Sequence, residues 1–184
     1  MLTTQEYPIL EFDDNKSAKL NPTHFAGNGF STNKENKIEH NEAKGMLEIR
    51  HVQLEDKEFW YSLDRHLPEK EFINKVRDKR GYVLLDENKP IGLLRYNLFW
   101  DNTPFCTLLF IDWNYQGKGY GKKLMEYWEC DMKTQGHGML LTSTQVDEGA
   151  QHFYRKLGYK DCGGFVIDVP GYEQPMEMFL SKGI

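Results

Sequence analysis

Between Gln116 and Lys123 the chain reads "QGKGYGKK", three alternating glycines set among three lysines. A glycine turn between a strand and a helix lets a ligand approach the backbone without a Cβ in the way. It also aims unpaired N–H groups outward. The first turn of a helix carries partial positive charge, so the geometry favours an anion such as phosphate. Two common phosphate cradles do not fit. A P-loop reading of Gly121-Lys122 puts Gln116 where the first glycine belongs and Lys123 where a hydroxyl belongs. A dinucleotide fingerprint spaces its glycines by two and three, whereas Gly117, Gly119 and Gly121 are spaced by two and two.

Elements on both sides must hold this turn. "PFCTLLFIDW" before it reads as a strand apolar enough to be buried on both faces. After it, Leu124, Trp128 and Met132 recur at helical spacing, so a helix buries that face and runs to about Gln135. "MLEIRHV" alternates as a half-buried strand, and "EDKEFWYSLDRHL" and "PEKEFINKVRDK" read as two short helices, the second starting at Pro68. "GYVLLDENKPIGLLRYNLFW" gives two strands joined by the turn 86–89. "MLLTSTQ" is a strand, "DEGAQHFYRKL" a helix stopped by Gly158, and "KDCGGFVIDV" and "MEMFLS" are closing strands. The order β-α-α-β-β-β-α-β-α-β-β predicts an α/β (α+β) fold, one mixed sheet covered by helices, over residues 46–184. Residues 1–45 are rich in Asn, Lys, Gly, Ser and Thr without period, and read as an extended or poorly ordered leader.

Gln116-Gly117-Lys118-Gly119-Tyr120-Gly121, read as Q-x-x-G-x-G after a buried strand, resembles the acetyl-CoA signature of the GNAT acyltransferases. A second block, "AQHFYRKLGYKDCG" from Ala150 to Gly163, resembles the family's A-x-x-FY-x-x-x-G-[FY] helix, and the element order from Met46 to Leu180 is similar too. The resemblance implies a mostly antiparallel central sheet of about seven strands. It further implies that acetyl-CoA is the cosubstrate, that no metal is used, and that a primary amine of a small molecule or peptide is acetylated directly. Phe110, Ile111 and Asp112 would lie at a bulge that splays the fourth strand from the fifth, with backbone groups toward the pantetheine. The amides from Gln116 through Lys122, including Lys118 and Tyr120, would wrap the pyrophosphate. Phe153 would lie along the pantetheine arm, and Lys156 would reach the nucleotide end. A module that binds CoA without catalysis is the alternative.

Acetyl transfer needs a neutral amine, whereas an alkylammonium has a pKa of ~10.4. It also needs donors for the oxyanion and a proton for the departing thiolate. The resemblance gives the last role to Tyr154, and the carbonyl-polarising N–H to Ile111 or Asp112. The base stays open among Asp112, Glu177, His66 and His152; Asp112 serves equally well as a turn cap. Many family members carry Asn where this chain has Asp147, which reads as the cap of the second-block helix. Trp60, Tyr61, Phe99, Trp100 and Tyr172 are candidates to line an acceptor cleft, with Asp64, Asp101 and Glu173 to attract a cation.

Composition narrows the partners. The 184 residues carry a net charge of −5, which argues against a dedicated nucleic-acid binder. Cys106, Cys130 and Cys162 are odd in number and widely spaced, so neither a disulfide framework nor a zinc site is expected. No apolar run approaches the ~18 residues that span a bilayer, and no signal peptide is visible. The expectation is a cytoplasmic protein without membrane association, with a homodimer left open.

Overall fold

The computed structural model describes residues 46–184, so the expected leader over 1–45 lies outside the described residues. Seven strands form one sheet: β1 (Leu47–His51), β2 (Gly81–Asp86), β3 (Lys89–Phe99), β4 (Thr103–Ile111), β5 (Met139–Gln145), β6 (Lys160–Phe165) and β7 (Glu177–Gly183). Four α-helices accompany them: α1 (Lys57–Leu63), α2 (Glu69–Arg77), α3 (Tyr120–Thr134) and α4 (Ala150–Lys156). The chain order is the one the sequence predicts. Across the sheet the order is β1-β2-β3-β4-β5-β7-β6. Every neighbouring pair is antiparallel except β4 with β5.

The strand alternation sorts side chains onto two faces. On one, Val83, Leu85 and Leu93 pack with Trp60 of α1 and Phe72 of α2. On the other, Tyr82, Leu84, Leu94 and Tyr96 pack with Leu124, Met125, Trp128 and Met132 of α3, and α4 adds Tyr154. The β2–β3 connection turns through Glu87 and Asn88, both left-handed at φ 50° and 66°, the twist that suits a two-residue hairpin.

Several local expectations need correction. β4 is not buried on both faces, since Thr107 to Phe110 are only half-buried where β5 has left its side. β6 stops at Phe165 instead of reaching Val169, and Val166 and Val169 are exposed. Pro68 is the N-cap of α2, one residue ahead of the helix. Asp147 caps nothing: α4 begins after Gly149, while the Glu148 carboxylate accepts from the Thr144 hydroxyl at 2.5 Å.

Lys75 of α2 is buried, and its Nζ donates to the Tyr96 carbonyl at 2.7 Å and to Asn97 Oδ1. Burial, helped by Arg95 and Arg80, pushes this ammonium down to about 8. In the unfolded chain it would titrate near ~10.4. Across that window the unfolded chain binds a proton that the folded one has released, so this group makes stability rise with pH. Denaturant melts at pH 7.5 and 9.5 should therefore show Lys75→Met gaining less on the alkaline side than the parent. Equal gains would remove the buried ammonium from the account.

Candidate functional site

The site begins with one surplus residue in β4. Arg95 of β3 pairs with Leu108, yet the next residue, Tyr96, pairs with Cys106, so Thr107 bulges out of the ladder. The expected bulge at Phe110–Asp112 thus lies lower in the strand. β4 meets β5 only at Phe105↔Leu141 and Cys106↔Thr142, and above these pairs the two part. The N–H of Asp112 donates to the Ile91 carbonyl at 2.8 Å, which sets the phase of the antiparallel ladder. By alternation Phe110 and Leu108 also turn their backbone groups to β3, while Leu109 and Ile111 turn theirs to the edge that β5 has vacated. Phe110 and Asp112 therefore lose the backbone role expected of them, and Leu109 gains it. Its period-two relation to Ile111 is the signal that would have found it.

Beyond Ile111 the chain is tightly tied. Asp112 Oδ1 accepts from the backbone N of Asn114 at 2.9 Å and from its Nδ2 at 3.0 Å, capping the 3-10 turn Trp113–Tyr115. Gln116 Nε2 donates to the Ile111 carbonyl at 2.8 Å. Gly117 and Gly119 then take left-handed φ of 77° and 82°, and a Cβ on either would meet nothing within 4 Å. These glycines are demanded by backbone conformation, not by crowding from the protein. Gly119 is the N-cap of α3, and the first i→i−4 bond runs from the Lys123 N–H to the Gly119 carbonyl at 3.1 Å. The amides of Tyr120, Gly121 and Lys122 precede it and have no partner within the helix.

A cleft of about 380 Å³ opens between the parted strand and this helix start. Leu109, Ile111 and Phe153 form its apolar wall, and the turn from Tyr115 to Lys122 forms its rim. Of the sequence-predicted residues, Ile111, Gln116, Gly117, Gly119, Tyr120, Gly121, Lys122 and Phe153 meet here. Phe110, Asp112, Lys118, Tyr154 and Lys156 do not line it. The Phe110 side chain packs on the opposite face, edge-on to exposed Trp113 at 5.1 Å. Lys156 is exposed on the last turn of α4. Tyr115 was missed, and carried no signal in the sequence. Its ring lies beneath the Nζ of Lys118 at 5.2 Å and that of Lys89 at 5.3 Å. Lys122 pairs with Glu126 one turn on, at 3.7 Å.

Tyr154 stands behind Phe153, ring to ring at 5.3 Å, and is 6% exposed. Its phenol lies near Thr142 and Cys106, the last pair before β4 and β5 separate. Burial, reinforced by Cys106, holds its pKa well above the usual phenol value, with Thr142 acting against the rise. Burial also pushes the Cys106 thiol up to about 12, and its Sγ donates to the Leu108 carbonyl at 3.6 Å. Among the other candidates, Glu177 is half-buried on β7, and His66 and His152 are exposed.

The expected acceptor wall is only partly present. Trp60 is fully buried under α1, and Asp64 is buried and bonded to Arg95 Nε at 2.7 Å. Neither faces a cleft, because each fills an interior demand first. Tyr61 is half-buried against Phe72. Phe99, Trp100 and Tyr172 are exposed, with Trp100 held at φ 51° in the β3–β4 turn beside Asp101. The Glu173 carboxylate accepts from the Gly171 N–H at 2.9 Å.

Residues 77–161 match the family model described as an acetyltransferase (GNAT) domain. Among solved structures, the ribosomal-protein-S18-alanine N-acetyltransferase of Escherichia coli superposes with a TM-score of 0.64 at 18% identity, covering 76% of this chain and 94% of that one. Ard1 from Thermoplasma volcanium gives 0.65 at 16%, covering 75% and 97%. Naa50 of Arabidopsis thaliana, in complex with the bisubstrate analogue CoA-Ac-MVNAL, gives 0.63 at 14%, covering 75% and 99%. At these identities the likeness speaks for the fold. No curated protein sequence matches the chain.

The left-handed turn makes its own prediction. Gly119→Ala should cost ~1–2 kcal/mol of stability from the positive φ alone, since the added methyl meets no atom. Gly121→Ala, at an ordinary φ and in normal contact with Phe153, should cost less. Urea midpoints of the two variants decide it, and equal losses would mean the turn is not strained at Gly119.

Proposed function

We propose that the chain is a GNAT-type N-acetyltransferase that moves an acetyl group from acetyl-CoA directly to a primary amine of a small molecule or peptide, a reading supported by the family-model match over residues 77–161. The observation that carries this reading is the cleft between β4 and the start of α3. Its two left-handed glycines leave three helix-start amides open to an anion, and its inner wall is apolar. Diphosphate at the rim and a pantetheine arm along Leu109, Ile111 and Phe153 match that division of polarity. Acetyl-CoA supplies an activated acetyl thioester there.

The protein's own groups have distinct parts. The Ile111 N–H, on the vacated edge of β4, is the donor we assign to the thioester carbonyl. Tyr154 holds its proton because it is buried, and we assign it to protonate the departing sulfur. As the amine nitrogen bonds to the acetyl carbon, the carbon–sulfur bond breaks. The amine releases one proton to solvent water, and the sulfur takes one from the phenol, whose phenolate is reprotonated from solvent. Cys106, kept protonated by burial, is unsuited to attack, in keeping with transfer that has no acyl-enzyme. The three unpaired thiols suit a reducing cytoplasm. A peptide amine gains support from two neighbours, one an alanine N-acetyltransferase of a ribosomal protein and one holding a CoA–peptide analogue.

Mass spectrometry of copurified ligand, followed by CoA release with a panel of amines and peptide N-termini, tests the activity; binding without turnover on any amine would favour a non-catalytic CoA module. Tyr154→Phe should lower kcat by ~100-fold or more at nearly unchanged acetyl-CoA affinity. Full activity would strip the phenol of its role. Gly119→Glu should weaken acetyl-CoA binding by roughly 100-fold, or about 2.7 kcal/mol, by placing a carboxylate at the mouth of the cradle. Calorimetry showing parental affinity would move the diphosphate elsewhere.

A further inference from the structure

We propose that Arg95, held by Asp64, is a positioning residue that clamps the Thr107 bulge to β3 and so places the β4 edge that faces the thioester arm. The proposal rests on the reading of the cleft given above. Thr107 is the surplus residue of the ladder, so cross-strand pairing does not hold it. Its side chain makes up the loss. Thr107 Oγ1 accepts from Arg95 Nη1 at 2.8 Å and donates to the Arg95 carbonyl at 3.3 Å, bonding one residue of β3 twice.

Arg95 is itself fixed. Its Nε donates to Asp64 Oδ2 at 2.7 Å, and the Asp64 side chain is 2% exposed. Asp64 is the C-cap of α1, and its N–H donates to the Trp60 carbonyl at 2.8 Å. Trp60 is fully buried, so the chain of contacts ends in the core. A buried carboxylate demands a cation, and a guanidinium can satisfy it while keeping a second N–H for Thr107. The sequence of constraints therefore runs from α1 through Asp64 and Arg95 to Thr107. Two and four residues beyond the bulge, the strand has resumed its alternation and presents Leu109 and Ile111 to the cleft. A bulge free to slip by one residue would exchange which amides face the cleft and which face β3. Arg95 and Thr107 touch neither the cleft nor its rim, so they act through the backbone.

The test compares two probes by calorimetry. Adenosine 3′-phosphate 5′-diphosphate engages only the glycine turn, whereas acetyl-CoA also needs the β4 edge. Thr107→Val, which keeps the shape and loses the hydroxyl, should weaken acetyl-CoA binding about tenfold while the nucleotide binds within twofold of the parent. Thr107→Ser should restore acetyl-CoA affinity. If Thr107→Val does not fold, as judged by its thermal melt, Asp64→Asn carries the same comparison. Parental acetyl-CoA affinity in Thr107→Val, an equal loss for both probes, or failure of Thr107→Ser to restore binding would overturn the clamp. If the parent protein binds neither probe, the cleft reading itself fails and the clamp's role falls with it.

Discussion

A parallel ladder that closes after two residue pairs is the constraint on which the rest depends. β4 and β5 meet at Phe105↔Leu141 and Cys106↔Thr142 and then diverge. A strand that leaves its neighbour exposes unpaired N–H and C=O groups, and burying such a group unpaired costs ~1–3 kcal/mol. The fold avoids that penalty by keeping the separated edge beside an open cleft: Leu108 to Phe110 are half-buried, not interior. On its other side β4 keeps an antiparallel ladder with β3 above and below the Thr107 bulge, so the strand stays ordered although one edge is free. β5 in turn pairs with β7 along its whole length, from Met139↔Gly183 to Gln145↔Glu177. The opening is thus confined to a single seam between two firmly held halves of the sheet.

What faces that seam is fixed by α3. Four of its side chains, Leu124, Met125, Trp128 and Met132, are fully buried, each worth roughly 1.5–3 kcal/mol of burial. That investment goes to the middle and end of the helix, leaving the amides of Tyr120, Gly121 and Lys122 without a partner within the helix at the cleft mouth. The turn before it is tied at both ends, by Gln116 to the Ile111 carbonyl and by Asp112 to Asn114. Under the proposed reading, a phosphate there would meet amides already oriented, with little ordering left to be done on binding.

How much of this was legible in the sequence differs by kind of feature. The element order was legible because hydrophobic periods, the Glu87-Asn88 turn and the glycine stops are local signals. The left-handed turn was legible for the same reason: Gly117 and Gly119 announce such a backbone by their identity. The bulge was not, since a threonine within "PFCTLLFI" has the same composition in register or out of it. Only pairing with β3 shows that Thr107 is surplus. The acceptor side misled for a related reason. Trp60 and Asp64 belong to residue types common in binding clefts, yet the core consumed the one and Arg95 the other. Asp147 misled through helix length, because α4 starts two residues later than the capping signal suggests.

Burial also decides which reactive groups keep a chemical part. Asp112, Asp64, Cys106 and Tyr154 all lie on or beside the strands that frame the seam, and by type each is a plausible acid, base or nucleophile. The two carboxylates are engaged as acceptors, Asp112 by a turn amide and Asp64 by a guanidinium. The thiol and the phenol lie together where β4 and β5 part, in surroundings too apolar to favour either anion. A thiol held protonated is a poor nucleophile, whereas a phenol held protonated keeps an O–H with which to donate a hydrogen bond. Under the proposed reading, the same low dielectric that keeps Cys106 from attacking leaves the Tyr154 O–H in place for a departing sulfur.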